Sequence, residues 1–135
     1  MTARLSPDAA LFDRAGSVPA WPPCVHYAGN ARHVALAMSL QAERGPVFDI
    51  AADCEDGAPV GRELEHARTL AALIASDANR HDRVGARLHG TRHPSWRAEL
   101  GILLGEAGDR LAFLTLPKAE SAADVARFLD VLALE

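Results

Sequence analysis

The chain has 135 residues, 49% hydrophobic and 24% charged, which are the proportions of a globular domain and exclude a disordered chain. Its net charge of -4, with no clustered basic face, argues against nucleic acid as the main partner, because neutralising phosphates needs concentrated Lys and Arg. No apolar run approaches the roughly 20 residues that span a bilayer, so no membrane role is expected.

Residues 1–22, ending in the Pro-rich PAWPP run, read as an N-terminal arm ahead of a domain over 23–135. Asp8 and Asp13 interrupt any apolar core there, so the arm does not resemble a secretory signal and the cytoplasm is the expected compartment. Cys24 and Cys54 have no zinc-type spacing and are expected as free thiols in that reducing setting.

After the arm, short β-type runs alternate with helical ones. CVHYA (24–28), VFDIA (47–51), RVGARL (83–88) and LAFLTL (111–116) are the strand candidates, by apolar content and by Gly, Pro or charged borders. The first helix, near 31–44, sets Val34, Ala37 and Met38 on one face and stops at Gly45-Pro46. Leu64, Ala67, Ala71, Ile74 and Ala78 define the second, and Trp96, Leu100, Leu103 and Ala107 the third. Ser121 to Asp124 has the form of a capping box, and the fourth helix is expected to bury Ala122, Val125, Leu129 and Leu132. The order βαβαβαβα implies an α/β fold with a parallel sheet, right-handed crossovers and a site at the C-terminal strand ends.

The polar residues fall on that rim. Asp53, Glu55 and Asp56 follow the second strand, Arg87 and His89 end the third, and Lys118 and Glu120 follow the fourth. Crowded carboxylates are tolerated where a cation, a proton or a hydrogen-bonding substrate arrives. They are not expected to be equivalent: alternation sets Asp53 and Glu55 on one face, Asp56 joins them only if the chain turns at Gly57, and Glu55 and Asp56 are expected to face the rim while Asp53 is mainly structural. Arg87, inside an apolar strand, either pairs with Glu55 or receives an anionic ligand. His89 and His93 have an i, i+4 spacing, but Gly90 and Pro94 make the segment a loop, which weakens a metal reading. Lys118 is open both to Schiff-base chemistry and to a plain surface role.

Taken together, GPVFDIAADCEDGA, RVGARLHG and LTLPKAES resemble the HpcH/HpaI aldolase and citrate lyase family, from about Cys24 to the C-terminus. The resemblance implies the first four βα units of a TIM barrel, a fold that usually takes about 250 residues and eight units. It implies Mg²⁺-dependent cleavage or formation of a carbon–carbon bond next to a carbonyl, in a small carboxylate or acyl-CoA substrate. Glu55 and Asp56 match the family's acidic pair, expected as catalytic residues near metal-bound water, and Arg87 matches its substrate-binding arginine. His89 stands where the family commonly has Asn, and with Lys118 it is expected on the substrate side. The family's direct Mg²⁺ ligands lie at the ends of strands five and six, so none is expected here. The chain is accordingly expected to be a truncated half, inactive alone, completed by a homo-oligomer or a C-terminal half. The competing reading is a non-catalytic half-barrel.

Overall fold

The computed structural model describes residues 24–134; the expected N-terminal arm lies outside them. Four strands, β1 (Val25–Ala28), β2 (Asp49–Asp53), β3 (Val84–Arg87) and β4 (Leu114–Thr115), alternate with four helices, α1 (Ala31–Arg44), α2 (Glu63–Ala75), α3 (Trp96–Ala107) and α4 (Ala122–Leu132). All strand pairings are parallel and the spatial order is β1-β2-β3-β4. A parallel sheet in sequential order, with right-handed crossovers, keeps every helix on the same face. Doubly wound folds instead reverse strand order and cover both faces.

Side-chain alternation along the strands agrees. Ile50, Ala52, Val84, Ala86 and Leu88 join one apolar core with Val34 and Met38 of α1, Leu70 and Ile74 of α2, and Leu100 and Leu103 of α3. The alternate residues, Asp49, Asp53, Arg83 and Arg87, point to the opposite face and pair across it. There Arg83 Nε donates to Asp49 Oδ1 at 2.7 Å and Arg87 NH2 meets Asp53 Oδ2 at 2.6 Å.

Local chemistry explains where the elements begin and end. Asn30 caps α1 by accepting the His33 N–H at 3.0 Å. The helix stops at Gly45, whose φ of 81° lies in the left-handed region that favours glycine. Ser121 and Asp124 form the expected capping box of α4.

Four expectations need correction. β2 starts two residues later than VFDIA suggests and ends on Asp53, so this acid is a strand residue. β4 shrinks from six residues to two, since only Ala86 and Arg87 pair with it. α2 ends at Ala75, and Ala78 falls outside it in an exposed turn. The largest change is in α4, which buries Asp124 and Phe128 while Ala122, Val125 and Leu129 are exposed. The helix carries two apolar rows one step apart. Phe128, set against the Trp96 ring at 6.2 Å, decides which row turns inward.

Candidate active site

Asp53 and Arg87 are partners in the β2–β3 register and share a face of the sheet. Asp53 Oδ1 accepts from Arg87 Nε at 2.8 Å and Oδ2 from NH2 at 2.6 Å, a two-pronged fork. The same carboxylate accepts the backbone N–H of Glu55 at 2.9 Å and of Gly57 at 3.1 Å. Burial pushes its pKa up, but the Arg87 fork and the two backbone donors outweigh this and hold it below the usual carboxylate range. From behind, buried His66 of α2 donates its Nε2–H to the Asp53 carbonyl at 3.0 Å. Asp53 is therefore saturated with structural bonds.

The turn after it depends on a close backbone approach. A Cβ added to Gly57 would lie 2.4 Å from Gly29 Cα, so glycine is required here by contact with the β1–α1 junction.

Glu55 and Asp56 face two cations. Lys118 Nζ sits 2.9 Å from Glu55 Oε1 and 3.2 Å from Asp56 Oδ1, and Arg87 lies 3.2 Å from both Glu55 Oε2 and Asp56 Oδ2. The two acids differ in burial, the Glu55 side chain being 8% exposed and that of Asp56 62%. Glu55 Oε2 is buried and, despite its nearness to Arg87, makes no aligned hydrogen bond. The carboxylates of Glu55 and Asp56 raise the Lys118 pKa and hold the amine as an ammonium. Its backbone has φ of 50°, uncommon for a non-glycine residue. Arg87 is raised further above its ordinary value, chiefly by Asp53, and it lies 5.0 Å over the Tyr27 ring. The sequence position of Arg87 pointed to a pair with Glu55 or to an anionic ligand; its main partner is instead Asp53, with Glu55 and Asp56 each 3.2 Å away.

Beside this cluster lies a cleft of about 430 Å³ lined by Glu55, His89, Thr91, Arg92 and Lys118, among others. His89 Nδ1 meets Glu99 Oε1 at 2.7 Å, and its backbone N–H donates to Glu99 Oε2 at 3.2 Å. Glu99, on α3, is fully buried. Arg92 pairs with Glu120 at 3.1 Å on the outer lip. Neither Glu99 nor Arg92 stood out in the sequence; the i+10 relation of Glu99 to His89 exists only once β3 and α3 have packed.

Cation binding by these residues can be tested on geometry. His89, His93 and Glu99 bring ligand atoms within 4.8 Å of one another. However, the two imidazoles stack with centroids 3.8 Å apart and planes 15° from parallel. A metal lies in the plane of each imidazole that binds it, and near-parallel planes do not meet within the roughly 2.0–2.1 Å of a Zn–N bond. Glu55 and Asp56 are already neutralised by Lys118 and Arg87, which would repel a cation placed directly between them. Neither of these two groups therefore fits as a set of direct ligands of Mg²⁺. Both cysteines are free, Cys54 buried with its thiol pushed up to about 12 by burial and by the charges of Glu99 and Asp53. No helix among the described residues is long and apolar enough to cross a membrane.

The crystal structure of a citrate lyase from Burkholderia xenovorans LB400 matches this chain with a TM-score of 0.79 and 41% sequence identity, over 95% of this chain. The chain belongs to the HpcH/HpaI-type citrate lyase family. It spans 38% of the length of that citrate lyase. No family profile and no curated protein matches it. In this lyase family member the acidic segment, the strand arginine and the lysine segment meet at one rim, as their order in the chain implied.

Proposed function

We propose that this chain carries the substrate-binding rim of a carbon–carbon lyase acting on a small carboxylate or acyl thioester, built on the first four βα units of a TIM barrel. The observation that carries the reading is the convergence of Arg87 and Lys118 on Glu55, which keeps a buried, unbonded Oε2 beside the cleft. Breaking a bond next to a carbonyl leaves negative charge on one fragment, and fixed cations in a sheltered site stabilise that charge. Lys118, with its side chain 67% exposed, and Arg92 on the lip are placed to meet a substrate carboxylate. Arg87 joins them when exposed Asp56 swings away, because Asp53 continues to hold its other edge. Glu55 and Asp56 are the proposed catalytic acids.

Mg²⁺ would supply Lewis-acid polarisation of the substrate in the complete fold, held by groups other than Glu55, Asp56 and the His89–His93–Glu99 cluster. The present residues bind and orient. A Schiff-base route through Lys118 requires a neutral amine, and two carboxylates within 3.2 Å oppose it.

The test is calorimetric titration of the chain with citrate. Lys118→Ala is expected to weaken binding about tenfold, the loss of one charge-assisted contact. Unchanged affinity in that variant would overturn the rim assignment. In a complete barrel carrying this rim, EDTA is expected to stop cleavage, while borohydride with substrate leaves Lys118 unmodified.

A further inference from the structure

Each end of the sheet offers a row of backbone groups. The Asp49 N–H bonds to the Cys24 carbonyl at 3.0 Å, so by alternation Cys24, His26 and Ala28 turn their peptide groups toward β2, and Val25 and Tyr27 turn theirs outward. At the other end the Leu88 N–H bonds to the Thr115 carbonyl at 3.1 Å, which leaves the peptide groups of Leu114 and Leu116 facing out. The β1 row of one chain is complementary to the β4 row of another, as any two neighbours in a parallel sheet are. The flanking surfaces match in the same sense. A groove of about 510 Å³ runs beside β1 and α1, lined by Cys24, His26, Leu36, Leu40 and Phe48, among others, while Val125 stands exposed on α4 at the opposite end.

The face of the sheet turned away from the helices is only partly polar. Val25 and Tyr27 are exposed there, and Phe113 joins them, because a Cβ at Gly85 would lie 2.5 Å from its ring. The strand charges on that face cancel, Asp49 with Arg83 and Asp53 with Arg87. Two such faces can therefore be buried against each other without stranding an ion.

We propose that two copies of this chain close an eight-stranded parallel ring, the β1 edge of each pairing with the β4 edge of the other. The helices lie outside, and Val25, Tyr27 and Phe113 enter the interior. Eight is the strand number at which side chains fill a parallel barrel. A two-fold axis makes the two junctions identical, and the second forms within the complex, which favours closure over a growing chain of copies. The occupant is a second copy because one chain supplies both edges, the groove at one end and the ridge at the other. This rests on the half-barrel part of the reading above and adds its partner.

The test is size-exclusion chromatography with light scattering of the 135-residue chain at tens of micromolar, where a single species of two chains is expected. Val25→Pro removes an outward N–H and leaves the bonds to β2 in place. It is expected to weaken dimerisation about a hundredfold, because the lesion enters both junctions. Leu36→Lys on α1 and Val125→Asp on α4, both at exposed positions, are each expected to give monomers with the circular dichroism of the parent. An equal mixture of these two variants is expected to recover the dimer, since one junction then joins a lysine to an aspartate and the other is unchanged. If Val25→Pro fails to fold, the two charge variants and their mixture carry the test.

A species that grows with concentration, a dimer untouched by Val125→Asp, or a mixture that stays monomeric would overturn the ring. A monomeric parent whose citrate binding still weakens in Lys118→Ala would overturn the ring and leave the rim standing. A closed dimer that does not bind citrate would do the reverse.

Discussion

Asp53 and Glu55 carry the same functional group two residues apart, and their surroundings assign them different work. Asp53 accepts four hydrogen bonds and is buried; Glu55 keeps one oxygen unbonded. Asp53→Asn is expected to cost about 3 kcal/mol in urea unfolding, since it strands the Arg87 guanidinium beside a neutral amide. Because the folded carboxyl titrates below its unfolded value, the stabilisation is fully present above about pH 4 and is lost as pH falls through the lower folded value. Acid titration of the parent against Asp53→Asn, followed by circular dichroism, isolates that contribution. Glu55→Gln is expected to change stability little, but in a complete barrel to lower kcat/KM about a hundredfold, or about 2.7 kcal/mol. A structural part for Asp53 was legible as an expectation, though not from side-chain alternation, which sets residues two apart on one face. The roles of His66 and Glu99 were not, because each is defined by a partner that only tertiary packing brings near.

At the scale of elements, period and breakers located all four helices, and α1 spans the expected residues. Strand ends were less legible. Alanine and aspartate are poor strand formers, so Ala52 and Asp53 did not read as strand, yet pairing with β3 extends β2 through them. For α4, two adjacent apolar rows left the buried face ambiguous from hydrophobicity alone. The contact with Trp96 makes a sharp expectation: Phe128→Ala costs about 3 kcal/mol, whereas Leu129→Ala, at a 54% exposed position, changes stability by less than about 0.5 kcal/mol. Thermal or urea unfolding of the two variants checks it directly. A Gly57→Ala variant should also melt well below the parent, because the obstruction is Gly29 backbone, which has no flexible end to move aside.

For the whole molecule, β1 bonds only to β2 and β4 only to β3 among the described residues, leaving both sheet edges without a neighbour. Val25 and Tyr27 on β1 are exposed, as are Val125 and Leu129 on α4. Unpaired edges beside apolar surface favour pairing between chains, so the 135-residue chain is expected to self-associate at concentrations on the order of tens of micromolar. Light scattering that shows a stable monomer would refute this. The polar face of the sheet has a different consequence, one of alignment. Hydrophobic alternation forbids β2 and β3 from slipping by one residue, because every side chain would change sides, but it permits a slip of two. Asp49 and Asp53 on one strand, matched to Arg83 and Arg87 on the other, act as a ruler with marks four residues apart. A two-residue slip that sets Asp49 opposite Gly85 would leave Arg83 facing Val47 and Arg87 facing Ala51, with neither arginine on a carboxylate. The charges therefore reject the misalignment that the apolar pattern alone would accept.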